Sequence, residues 1–115
     1  MRVGAALIEI RVHGSNSLKQ KRGVVRSIIH RLRNRYNVAV AEVGGQGTWQ
    51  RAVIGITTVS QDAATVRKRL EKSLSFVESL NLAEVMASDI EMLDTPPVAP
   101  LQEAEESEPL PWEEE

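Results

Sequence analysis

The chain of 115 residues contains no cysteine. That excludes disulfides, thiolate zinc sites and cysteine nucleophiles, and it fits a reducing compartment, so the expected location is the cytoplasm. Aromatic residues make up only 3%, so a core must be built from Val, Ile, Leu and Ala. No apolar run approaches the ~18 residues needed to cross a bilayer, and no membrane partner is expected. The apolar stretch MRVGAALIEIRV is interrupted by Glu9 and Arg11 and reads as a strand rather than a signal peptide. His13 and His30 stand apart from any group of carboxylates, which gives no metal site. No Ser-His-Asp or paired-carboxylate arrangement can be assigned, and Gly44-Gly45-Gln46-Gly47 lacks the following Lys-Ser/Thr of a phosphate-binding loop. With no cofactor, small-molecule substrate or catalytic residue to name, the expectation is a binding protein and not an enzyme.

Acid is also missing, locally. From residue 10 to residue 41 there is no Asp or Glu, and the segment from Ser17 to Tyr36 holds seven of the fourteen Lys and Arg residues. The net charge of -2 hides this asymmetry. All fourteen bases precede Thr95; nine acids precede it too, which leaves that part at +5, and the seven acids from Glu103 to Glu115 make the remainder -7. A basic body with an acidic tail suggests contact with a polyanion, modulated by a competing segment; the plainer reading is a tail that only adds solubility. Pro, Glu, Ala and Ser dominate from Thr95 onward. Such a segment buries too little apolar surface to offset its chain entropy, so residues 95–115 are expected to be disordered and residues 1–94 to form one domain.

The apolar residues are arranged in two periods. Residues 2–12 alternate, with Ile8, Ile10 and Val12 on one side, as a half-buried strand does. Ser17 and Gln20 make a capping-box pattern at the start of a helix whose apolar face holds Leu18, Val25, Ile28, Ile29, Leu32 and Tyr36. Gly23 inside it costs roughly 1 kcal/mol of helix propensity, which close approach by a neighbour would explain. Residues 38–43 and 49–60 read as two strands joined through a Gly-rich connection, with Gly55 marking a bulge or a close contact. Asp62 is the expected N-cap of a second helix over 63–80, with Val66, Leu70, Leu74 and Val77 as its core stripe. A last strand is expected over 85–93, with Met86, Ile90 and Met92 on one face.

This β-α-β-β-α-β order is the split βαβ pattern of the ferredoxin-like α+β fold. It predicts a four-stranded antiparallel sheet in the order four, one, three, two, with both helices on one face. Ile8, Ile10, Ala52, Ile54, Ile56, Ile90 and Met92 are expected to face the helices. Glu9, Arg11, Glu42, Trp49, Arg51, Asp89 and Glu91 are expected on the open face.

The segments Ser17-Leu18-Lys19-Gln20-Lys21-Arg22 and Trp49-Gln50-Arg51-Ala52-Val53-Ile54-Gly55, with Arg31 to Val38 between them, resemble the bacterial YlxP-like family over roughly residues 1–94. That resemblance implies a ferredoxin-like fold and a setting among translation and ribosome-maturation genes. It implies no catalytic activity.

Two surfaces are candidates for function. On a helical wheel Lys19, Arg22, Arg26, His30 and Arg33 fall within a sector of roughly 80°. Such a stripe suits a phosphate backbone, and Arg is the better phosphate ligand. A solvated face normally mixes charges of both signs, whereas this one has none of the other. The leading expectation is therefore RNA, as free RNA or a ribosomal subunit; a plain solvated face and an acidic protein partner are the alternatives. The second surface is the open sheet face with Trp49, Arg51, Glu9 and Arg11. Its acids repel phosphate, so it suits an isologous homodimer interface better than base stacking. The alternative function is accordingly a protein–protein adaptor that dimerises through this face.

Overall fold

A computed structural model describes residues 1–93. The expected domain boundary after residue 94 and the acidic segment lie outside the described residues. The elements are β1 (Arg2–Arg11), α1 (Leu18–Arg35), β2 (Ala39–Gly44), β3 (Arg51–Ser60), α2 (Ala63–Leu80) and β4 (Glu84–Leu93). The four strands form one antiparallel sheet in the order β2-β3-β1-β4. This is the ferredoxin-like arrangement.

The alternation of β1 and β3 decides which side is buried. Ile8, Ile10, Ala52 and Ile54 are fully inaccessible and share one cluster with Val25, Ile28 and Leu32 of α1 and Val66, Leu70 and Val77 of α2. Both helices therefore cover the same face of the sheet. Gly4 lies where α2 comes closest to β1: a Cβ there would stand 2.5 Å from Val66 Cγ1 and 2.8 Å from Leu70 Cδ1. At Gly23 a Cβ would meet nothing within 4 Å, so no neighbour requires that glycine.

The caps are where the residue types place them. Gln20 N–H donates to Ser17 Oγ at 3.2 Å, and Gln20 Oε1 reaches back to accept from Asn16 N–H at 2.7 Å. Asp62 accepts from Thr65 N–H and from the Thr65 hydroxyl, which hold its carboxyl below the usual range. Asn81 closes α2 in the left-handed region, at φ 54°.

Three expectations fail locally. β3 starts at Arg51, so Trp49 lies in the β2–β3 connection and not in the sheet. Met86 is exposed, because the β1–β4 register shifts between Glu9 and Ile10 and brings Val85 opposite Ile10. Glu42 is not on the open face: it stands opposite Ile54, on the helix side of the sheet. The register of β2 shifts just after it, and the extra residue, Val43, covers Gly55 from the open side.

Candidate nucleic-acid interface

The two helices carry most of the positive charge of the molecule. α1 holds Lys19, Lys21, Arg22, Arg26, Arg31, Arg33 and Arg35, and α2 holds Arg67, Lys68, Arg69 and Lys72; their acids are Glu71 and Glu78 alone. Because both helices pack on the same face, these residues belong to one side of the molecule.

They do not all have the same task. Lys21 is only 1% exposed. Its Nζ donates to Gly45 O at 2.8 Å and Arg51 O at 3.2 Å, and lies 3.5 Å from Glu42 Oε2. It ties α1 to both ends of the β2–β3 connection and is no part of the surface. Arg33 is exposed, but its Nη2 donates to Val40 O at 2.7 Å and so caps the outer edge of β2. His30 Nε2 is 3.0 Å from Asn34 Nδ2. Lys19, Arg22 and Arg26 are exposed, and their side chains make no hydrogen bond or ion pair among the described residues. The five stripe residues thus share one flank of α1, with three of them uncommitted.

The opposite flank of α1 faces α2. There Arg35 lies over the Phe76 ring at 5.2 Å and the Tyr36 ring at 5.9 Å, and its Nε donates to the Tyr36 hydroxyl at 3.3 Å. The two rings meet edge to face with centroids 5.6 Å apart. Arg35, Tyr36 and Phe76 line an open groove of about 880 Å³ together with Lys68, Glu71 and Lys72. Arg69, on the same flank of α2, is tied down by Thr58 Oγ1 at 2.7 Å and Val59 O at 3.2 Å. Sequence reasoning missed this groove. The period of α2 marks its core stripe, but nothing local states which flank a neighbouring helix will take.

The open sheet face has a different character. Leu7 and Val43 are 52% and 54% exposed, and Val59 and Leu93 are exposed as well. A trough of about 520 Å³ runs beside Leu7 and Val43, floored by small residues such as Ala5, Ala39, Ala41 and Gly55, with Asp89 and Glu91 along its β4 side. Of the four residues expected to form a dimer contact, Glu9 and Arg51 bond each other, at 3.0 Å from Nε to Oε1 and 3.3 Å from Nη2 to Oε2. The Arg51 hydrogen bond pulls the Glu9 carboxyl down, and Glu9 pushes Arg51 up. Arg11 is exposed at the same end, opposite Arg51 and Glu84 in the register, while Trp49 is 55% exposed in the connection beyond β3. The apolar centre of the face, around Leu7, was not among the expected contact residues. The alternation that buries Ile8 and Ile10 turns Leu7 outward, but alternation within one strand does not reveal a patch built across strands.

Among the described residues no group of three or more His, Asp or Glu could hold a metal ion, and no helix is long and apolar enough to cross a membrane.

The chain belongs to the family described as Protein of unknown function (DUF503), whose model matches residues 3–90. The Bacillus subtilis (strain 168) protein called Uncharacterized protein YlxP is 39% identical over 77 residues, covering 67% of this chain and 84% of that protein. Among solved structures, protein YJCS superposes with a TM-score of 0.51 at 8% identity, over 80% of this chain and 99% of that one. That likeness concerns the fold alone. SnoaB, a cofactor-independent oxygenase from Streptomyces nogalater, covers 87% of this chain and 99% of its own at 12% identity, and its TM-score of 0.49 is too low to carry an argument.

Proposed function

We propose that the protein is a non-catalytic RNA-binding accessory protein that holds a phosphate backbone on its helical layer. The observation that carries this reading is the placement of ten bases, leaving aside the buried Lys21, and two acids on two helices of the same side. A surface with so little compensating charge attracts a polyanion, and each phosphate it neutralises releases a counterion. Lys19, Arg22 and Arg26 are the residues best placed to do so, because no internal partner among the described residues competes for them. Ribosomal RNA is the RNA to try first, given the setting that the family resemblance implies. The test is a titration of labelled RNA at several salt concentrations. Affinity should fall log-linearly with salt, and Arg22→Glu with Arg26→Glu should abolish binding without unfolding the protein. If the folded double variant binds as the parent does, the stripe is not the site.

A second reading concerns self-association, and it is compatible with the first. The exposed Leu7 beside the Gly55 position gives the sheet face a ridge and a trough side by side. We propose that a second copy of the chain covers this face, with Leu7 and Val43 of each protomer entering the trough of the other. Leu7, Val43, Val59 and Leu93 are exposed on this one face, and its acids lie along the β4 edge, where they would form a rim.

A further inference from the structure

We infer that the groove between the end of α1 and the middle of α2 holds one unpaired nucleotide of an RNA strand. The base would stack on the Arg35 guanidinium, and Lys68 and Lys72 would hold the adjoining phosphates. This rests on the reading that the helical layer binds RNA, and it adds which form of RNA and where.

The chain has a single Tyr and a single Phe. Both come together in this groove, in a molecule whose core otherwise uses aliphatic residues. Their inner parts pack on the core, while their outer edges line the groove behind Arg35. The guanidinium is held against two rings and hydrogen-bonded to one of them, so little of its freedom remains to be lost on binding. A planar cation restrained in this way presents a stacking surface to a base. Lys68 and Lys72 lie one helical turn apart on the facing wall, and neither forms an ion pair with Glu71 between them. A duplex would offer these lysines its phosphates but would leave Arg35 without an exposed base. An unpaired strand satisfies both halves of the groove. The open sheet face is a poorer place for a base: its aromatic, Trp49, lies outside the sheet, and Asp89 and Glu91 line its trough.

The test uses the full chain and a 12-nucleotide single-stranded RNA carrying one 2-aminopurine, compared with the same strand in a duplex. The parent should change the 2-aminopurine emission and should bind the single strand about tenfold more tightly than the duplex, as one stacked base warrants. Arg35→Lys keeps the charge and, being exposed, should leave the fold intact. It should lose the emission change and about tenfold in single-strand affinity, with the salt slope retained. Lys68→Ala with Lys72→Ala should lower that slope by about 1.4, two phosphate contacts on a single strand. If Arg35→Lys keeps the parental emission change and affinity, or if the duplex binds as tightly, the groove is not a nucleotide site, although the layer still binds RNA. If the parent binds neither RNA at low salt, the broader reading fails with it.

Discussion

Lys21 Nζ lies 3.5 Å from Glu42 Oε2 beneath α1, with the lysine almost wholly removed from water. Glu42 Oε2 is buried and accepts no hydrogen bond among the described residues, so the ammonium is its compensation at ion-pair distance. The ammonium directs its hydrogen bonds to two backbone carbonyls, Gly45 O and Arg51 O. Gly45 itself is fixed by φ 81° and by the 2.6 Å that would separate its Cβ from Arg51 O. One side chain thus holds the β2–β3 connection in place and neutralises the carboxylate that faces the core. Removing one partner of such a pair strands the other.

Lys21→Met should therefore lower stability by about 3 kcal/mol, read as the shift of a urea unfolding midpoint. Lys21→Met combined with Glu42→Leu should recover part of that loss, because no charge is then left unpaired. A single variant as stable as the parent would mean that the pair contributes nothing. Neither variant should change the salt dependence of RNA binding, since Lys21 is not on the surface.

Two glycines should respond in opposite directions. Gly23 faces open space in the middle of α1, so Gly23→Ala should raise stability by about 1 kcal/mol. Gly4 sits under α2, so Gly4→Ala should cost roughly 1–3 kcal/mol as Val66 and Leu70 are pushed aside. Urea unfolding of the two variants measures both. An unchanged Gly4→Ala would mean that α2 slides freely on the sheet.

The sheet-face dimer is tested at Leu7, which is exposed and so tolerates a charge in the isolated chain. Sedimentation should give the parent as a dimer at micromolar concentration and Leu7→Lys as a monomer with the parental unfolding midpoint. A parent that sediments as a monomer at all accessible concentrations removes this reading and leaves RNA binding untouched.

Much of the architecture was legible in local patterns. Ser17 and Asp62 mark helix starts because their side chains accept from backbone N–H groups, whatever surrounds them. The alternation of Ile8, Ile10, Ala52, Ile54 and Ile56 marks the buried face of the two central strands. The Lys21–Glu42 pair was legible too, and was missed. Lys21 stands at the spacing of Val25, Ile28 and Leu32, and Glu42 has the parity of Val40, so each is a charge on the core side of its own element. The exposure of Met86 was not legible, since a bulge is set by the fit of two strands and leaves no mark on alternation in one.

The sequence by itself determined the order of the elements, the buried faces of β1, β3 and the two helices, and the concentration of positive charge in α1. Those follow from residue period, capping chemistry and composition, all of which act within a few residues. Tertiary structure alone decided that Arg35, Tyr36 and Phe76 meet Lys68 and Lys72 in one groove. It also decided that Arg33 caps the β2 edge. The physical reason is that a helix's period specifies its buried stripe, whereas what its flanks meet depends on how two helices settle side by side on a twisted sheet.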